Sequence, residues 1–346
     1  MKVALLSGVR YTDHSRTVTD QTCPTARYWE YEYQGRGLAP IEKDIALSFG
    51  STIAEAAQAI REGEPTRLYH GGLPWSALYM GLTEAYRTRI WPKWQEQYAL
   101  VATEVECELL LSPDVTYQAR PDAIVKRLSD ETYWYIQDKT SSLSPENFSN
   151  GWDKLAELHA TAKAIEHSLG LKISGAYVQG WYKGYQKTGT LYSPLAYCWL
   201  KPGQPGVGKP QPSFEYRPGW PRVPITELDV AAWVKSLPEP VIQQQFPVTA
   251  PILIRRDLAD RYLGQVLRRE LDIKLMLGDV KMTEEEKRLK FPQHFSHCDE
   301  FSKYRRPCTF RDCCWAPSVQ RDPIVSQMFV WREGHHAGER RQQEQI

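Results

Sequence analysis

Apolar residues change their spacing several times along the chain, and each change marks an element. Ile41, Ile45, Phe49, Ile53, Ala56, Ala57 and Ile60 recur at helical spacing and predict a helix, weakened in its middle by Gly50. After the His70-Gly71-Gly72-Leu73-Pro74 punctuation a second helix is predicted from Trp75 towards Trp91, with Pro92 restricting its continuation. From Val101 the period becomes two. Val101, Thr103, Val105, Cys107, Leu109 and Leu111 fall on one face, and Ala102, Glu104, Glu106 and Glu108 on the other. This predicts one strand with a dry face and a carboxylate-bearing face. A turn at Pro113-Asp114, a second strand over 115–126 and a third over 131–139 would complete a β-meander.

Residues 145–170 carry Leu155, Leu158, Ala162, Ile165 and Leu169 at spacings of three and four and end on Gly170, an amphipathic helix with a glycine stop. Strands are expected over 173–182 and 191–200. The order helix, three strands, helix, strands predicts an α/β fold, a mixed sheet with helices packed on its faces. Residues 201–222 hold too many prolines and glycines for regular structure and read as a loop. Beyond it, 225–237, 255–277 and 284–290 are predicted helices, and the polar tail from Glu333 is expected to fray.

With 346 residues, 42% hydrophobic and 25% charged, the chain has the composition of a globular protein. No apolar run approaches the about 20 residues of a membrane-spanning helix. The first residues lack a secretory apolar stretch before Arg10, so a cytoplasmic location without a membrane partner is expected. The formal charge of +1 offers no global basic field, so a nucleic-acid partner would need a local groove. Seven cysteines, four of them crowded at Cys298, Cys308, Cys313 and Cys314, favour metal binding over disulfides. Cys107 and Cys198, on predicted strands, read as buried thiols.

Two short segments of the meander carry the candidate chemistry: Arg120-Pro121-Asp122 and Gln137-Asp138-Lys139. Period two puts Gln137 and Lys139 on one strand face and Asp138 on the other. If Asp122 sits across the hairpin from Gln137, a carboxylate, an amide oxygen and an ammonium meet in one cleft. Such a set suits Mg²⁺ or Mn²⁺, with the lysine orienting water or stabilising phosphate charge. Glu104, Glu106 and Glu108 also fit a merely solvated strand face.

At these residues the sequence resembles the PD-(D/E)XK nuclease superfamily, specifically its RecB-like exonucleases with an iron–sulfur cluster, including AddB-type, CRISPR-associated and phage relatives. Asp122 corresponds to the aspartate of that family's Gly-x-x-Asp segment, and Lys139-Thr140 to the Lys-Thr of its Asp/Glu-x-Lys-Thr motif. Glu104 or Glu106 falls on the strand where relatives carry a further acid. Residues 17–31, with Cys23-Pro24, resemble the N-terminal Cys-Pro element. Gln137 stands at the Asp/Glu position, Trp75 or Ser76 near the place of the helix histidine with only His70 close by, and Glu157 and Thr161 near a Gln-x-x-x-Tyr pair.

The resemblance implies a restriction-endonuclease-like core over 65–200, enclosed by an N-terminal element over 1–64 and a C-terminal one over 223–346. It also implies metal-dependent hydrolysis of DNA, with Asp122 and Gln137 as metal ligands, Lys139 assisting water attack and Glu104 or Glu106 as the extra carboxylate. A catalytically silent nucleic-acid-binding module with the same fold is the alternative. Cys23, Cys298, Cys308 and Cys314 match the family's four-thiolate [4Fe–4S] set, which joins the two ends of the chain. The spacing lacks the paired Cys-x-x-Cys knuckles usual for structural zinc. DNA, with a single-stranded region, is the expected partner. Lys281, Lys287, Arg288, Lys290, Lys303, Arg305, Arg306 and Arg311, interleaved with Phe291, Phe295, Phe301, Tyr304 and Phe310, form a candidate contact surface that Glu284, Glu285 and Glu286 dilute.

Overall fold

The computed structural model describes residues 9–42, 45–70, 73–142, 145–148, 151–187, 190–193, 195, 227–278, 281–298 and 308–344. The chain begins with β1 (Arg10–Thr12), α1 (His14–Thr22), α2 (Pro24–Arg27), β2 (Leu38–Pro40), α3 (Ile45–Glu62), α4 (Leu73–Ala85) and α5 (Trp91–Gln95). Next come β3 (Tyr98–Thr103), β4 (Cys107–Ser112), β5 (Val115–Ala119), β6 (Ala123–Arg127) and β7 (Tyr133–Ser141). They are followed by α6 (Pro145–Phe148), α7 (Ala156–Leu169), β8 (Ile173–Tyr182), β9 (Tyr185–Lys187) and β10 (Thr190–Tyr192). Beyond lie α8 (Glu227–Ser236), α9 (Glu239–Gln245), β11 (Ile252–Leu253), α10 (Arg256–Leu277) and α11 (Glu284–Leu289). The last elements are α12 (Arg311–Trp315), α13 (Ser318–Met328), β12 (Phe329–Trp331) and α14 (Ala337–Glu344). Of the strand expected over 191–200, the first residues belong to β10, while residues 196–200, with Cys198, and the Pro- and Gly-rich segment 201–222 lie outside the described residues.

This is a mixed α/β protein. Its main sheet has the order β11-β8-β7-β6-β3, with β7 and β8 parallel and the other pairs antiparallel. The parallel pair requires a crossover, and α7 provides it. Alternation along β6 and β7 splits the core. Val125, Trp134 and Ile136 pack with Phe49 and Ile53 of α3 and Leu78 and Leu82 of α4. Ile124 and Tyr135 pack on the other face with Leu158 and Ile165 of α7 and Leu263 of α10. A smaller sheet, β1-β5-β4, stands beside the main one, with β1 parallel to β5.

The strand predicted from Val101 through Leu111 is two strands in different sheets. The backbone turns at Glu104, whose φ of 46° is left-handed, so β3 pairs with β6 while β4 pairs with β5. The strand predicted over 115–126 is likewise broken at Arg120-Pro121-Asp122, because proline has no N–H for a ladder. Pro92 does not end its helix. A π-helical turn over Tyr86–Ile90 re-phases the backbone, and Pro92 falls in the first turn of α5, where a missing N–H costs little. The helix predicted over 145–170 is broken before Ala156, and Gly170 closes it in the left-handed region at φ 68°.

The C-terminal tail is docked, not frayed. Glu339 of α14 is buried and pairs with Arg16 and Arg332, while Arg340 bonds Glu106 at 2.9 Å. At Gly338 the backbone comes so close to the small sheet that a Cβ would meet the Tyr11 ring at 2.4 Å and the Gln118 amide at 2.6 Å.

The N-terminal segment is fixed by a buried ion cluster. Glu270 of α10 accepts hydrogen bonds from Arg10, Arg27 at 2.9 Å and the Thr12 hydroxyl at 2.8 Å, and Glu32 accepts from Arg10 at 2.8 Å and Arg27 at 3.0 Å. Burial alone would raise the Glu32 carboxyl, but Arg10, Arg27 and Arg16 overcome it and hold it at about 2. Its stabilisation is therefore present above the ordinary value of 4.5 and is lost as pH falls from there towards 2. Glu270→Ala, which leaves two guanidiniums in the interior short of a partner, should cost about 3–5 kcal/mol at neutral pH, measured by urea unfolding. A loss below about 1 kcal/mol would show that the cluster does not hold the segment.

Candidate active site

Asp122 immediately precedes β6, and the Ala123–Ile136 register sets it beside Gln137 of β7. Its Oδ2 accepts the Gln137 amide N–H and, at 2.8 Å, the Asp138 backbone N–H. Along β7 the side chains alternate. Gln137 and Lys139 face a cleft of about 530 Å³, lined also by Asp122, Glu104, Arg120 and Glu157. Asp138 faces the opposite way, into an ion pair with Arg61 of α3 at 2.7 Å and a hydrogen bond from Trp181 Nε1 at 3.0 Å. Arg61 is completed by the Tyr86 hydroxyl at 2.8 Å.

The turn at Glu104, whose backbone N–H reaches the Asp122 carbonyl at 3.4 Å, delivers its carboxyl to the cleft wall of Asp122 and to Arg120 at 2.8 Å. Burial, then repulsion from Asp138 and Glu104, pushes the Asp122 carboxyl well above the usual range, against the pull of Lys139. Burial raises Glu104 too, opposed chiefly by Arg120. A buried acid, Asp122, and a half-buried one, Glu104, in one wall are a place that favours a proton or a cation.

A second chain of groups approaches from the N-terminal side. Lys139 Nζ is 3.9 Å from Glu157 Oε1, the other Glu157 oxygen pairs with His14 Nε2, and His14 Nδ1 is 3.3 Å from the Tyr262 hydroxyl. Burial would raise Glu157, but His14 and Lys139 outweigh it and draw it down. From α3, Ser51, Glu55 and Gln58 turn a polar face to the cleft, and His335 and His336 close it from the loop before α14.

Of the sequence candidates, the structure brings together Asp122, Gln137, Lys139 and Glu104, with Glu157 and Thr161 on the same wall. Glu106 is not with them. It accepts from the Ala337 backbone N–H at 2.5 Å and from Arg340, because the left-handed Glu104 turns the following residues towards α14. His70 is exposed and absent from the cleft lining, and Trp75 is core. Sequence reasoning missed His14, Glu55, His335 and His336. Only the helical spacing of Ser51, Glu55 and Gln58, opposite Phe49 and Ile53, could have marked that face.

The cysteines converge elsewhere, in a core layer containing Cys23, Cys308 and Cys313, the aromatic rings of Tyr28, Trp29, Phe291 and Phe310, and Ile273 of α10. Cys308 lies within electrostatic reach of Cys314, Cys23 and Cys298, and Cys314 within reach of Cys23 and Cys298. The charged surroundings of Cys313 are Asp312 and Arg321 along with Cys308. Burial pushes the Cys308 and Cys314 thiols up to about 12. The buried Trp29 N–H has no hydrogen-bond partner, and Trp29 opposes the upward push of burial on the Cys314 thiol. Among the described residues no three His, Cys, Asp or Glu side chains are grouped so as to hold a metal ion. Cys107 is fully buried in the other core.

The expected basic and aromatic surface is altered. Phe291 and Phe310 are core, Lys287 pairs with Glu284 at 2.6 Å, and Arg288 with Glu285 at 2.8 Å. Phe295 is exposed and meets exposed Trp315 edge to face at 6.5 Å. Phe301, Lys303, Tyr304, Arg305 and Arg306 lie outside the described residues. Among the described residues no helix is long and apolar enough to cross a membrane. No protein-family model and no curated protein matches the chain.

Arg61→Met should destabilise the fold by about 3–5 kcal/mol, because Asp138 would be left charged and buried without its partner. The double variant Arg61→Met/Asp138→Leu should recover much of that loss in urea unfolding. No recovery would mean that Arg61 acts through packing, not through the ion pair.

Proposed function

We propose that the protein is a metal-dependent DNA phosphodiester hydrolase of the PD-(D/E)XK type. The observation that carries this reading is the cleft wall in which Asp122, Gln137, Lys139 and Glu104 stand together while Asp138 is turned to the core. The order of helix, antiparallel β3-β6-β7, helix α7 and parallel β8 supports the same fold type.

The donor set fits a small divalent cation. Mg²⁺ keeps several waters and commonly takes one or two carboxylates plus substrate phosphates, so Asp122 and Glu104 suffice on the protein side. The bound cation would supply positive charge to the phosphate and acidify water. Gln137 presents its amide nitrogen to Asp122 and so holds that carboxyl in place; half a turn of the amide would offer its oxygen instead. Lys139, held on the wall by Glu157, provides positive charge where an attacked phosphate gathers negative charge. The same Gln137 contact also favours a second reading, a silent nucleic-acid-binding module, because a neutral amide stands where a second ionised ligand would be.

Cys23, Cys298, Cys308 and Cys314 are proposed to hold a [4Fe–4S] cluster. Cys308 and Cys314 each within electrostatic reach of Cys23 and Cys298, three of these four thiols buried, and a buried, unpartnered indole N–H of Trp29 near Cys314 support it. Thiols held up near 12 keep their protons until a metal displaces them, so loading and folding of this layer are coupled.

Asp122→Ala and Lys139→Ala should each lower Mn²⁺-dependent cleavage of single- or double-stranded DNA by about a hundredfold or more. Equal activity in both variants would reject the site, and wild-type protein inactive on every substrate would favour the silent module. In anaerobic preparations the wild type should be brown with iron and sulfide in equal amounts. Cys308→Ala should lose iron and stability, whereas Cys107→Ala should keep its iron. Colourless protein carrying one zinc would replace the cluster by a structural zinc site.

A further inference from the structure

We propose that Arg120 is an exchangeable counter-ion, a guanidinium that neutralises the acidic wall when no cation is bound and contacts the DNA phosphate when one is. The inference rests on the metal-site reading of Asp122 and Glu104. Arg120 Nε lies 2.8 Å from Glu104 Oε2, and Glu104 shares the cleft wall with Asp122. The guanidinium therefore occupies an oxygen of Glu104, which together with Asp122 would hold a divalent cation, and the two positive charges compete for that oxygen. Arg120 is also only partly enclosed. Its side chain is 29% exposed, it lines the open cleft, and its other described contact is His335 Nε2 at 3.1 Å, a neutral acceptor on a loop.

Chain geometry limits where it can go. Pro121 fixes the backbone immediately after Arg120, so a movement is confined to the long side chain, and its base stays two residues from Asp122. Once a cation satisfies Glu104, the guanidinium is left in a cleft with a surplus charge and a fork that matches two phosphate oxygens. The phosphate bound by the cation is the nearest anion that meets that need. Arg120 thus belongs to the substrate-binding set, while Arg61, buried and committed to Asp138 on the far face of β7, belongs to the framework.

The test compares wild type, Arg120→Ala, Arg120→Lys and Asp122→Ala by two readouts that need no turnover. Free Mn²⁺ is followed by electron paramagnetic resonance, and binding of a labelled oligonucleotide in saturating Ca²⁺ by fluorescence anisotropy. Removing the competitor should tighten Mn²⁺ binding by about tenfold and weaken oligonucleotide binding by about tenfold, the value of one charge-assisted contact. Arg120→Lys, which keeps the charge and loses the fork, should restore part of the DNA affinity and return Mn²⁺ affinity towards wild type. A variant that merely misfolds weakens both, so opposite signs are the signature. Mn²⁺ affinity that is unchanged or weaker in Arg120→Ala, with Asp122→Ala abolishing it, overturns this inference and leaves the metal site standing. Unchanged oligonucleotide affinity also overturns it. Wild type and Asp122→Ala that bind Mn²⁺ equally overturn the metal site and the inference together.

Discussion

Four charges with almost no access to water, Arg10, Arg27, Glu32 and Glu270, set the arrangement on which everything else depends. Burying ions is costly, and the cost is offset here because each carboxylate meets two guanidiniums. Such a set tolerates one geometry. It ties β1, α2 and the turn after α2 to the middle of α10, and through them it places both ends of α1. His14 opens that helix at the cleft, and Cys23 caps its end at the thiol layer. Nine residues of helix span about 13 Å, so one rigid rod relates the two sites.

The elements legible in the sequence are those whose own residues decide them. The strand at Ile173–Tyr182 is an apolar run framed by Gly170 and a turn, and α10 is long, periodic and amphipathic. The hairpin that brings Asp122 to Gln137 follows from strand period and turn position alone. The breaks at Glu104 and Pro121 were not legible, because side-chain alternation continues across both while the backbone changes sheets. A left-handed glutamate has no mark in the sequence.

The rest of the site depends on distant residues. Glu104 and Glu106 are equivalent by pattern, and a carboxyl from each goes to a different place because the backbone turns at Glu104 and α14 arrives with Arg340 and the Ala337 N–H. The docking of the polar tail is hidden from the sequence for the same reason. Its polarity is a list of partners, Arg16, Arg332 and Glu106 among them, and nothing local reveals that they exist. His14 and His335 each stand more than a hundred residues from Asp122, whose cleft they complete.

That separation has a kinetic consequence. The β6–β7 hairpin and the α7 crossover are built from neighbours and can form early, whereas the cleft walls require residues near 14 and near 336 to arrive at the same sheet. Loop closure over such spans is slow. During synthesis Asp122, Gln137 and Lys139 are therefore paired on an open sheet long before His335, His336 and α14 close over them. A chain released before residue 330 would carry the carboxylates without the cleft, and the last turns of helix to fold are the ones that finish it.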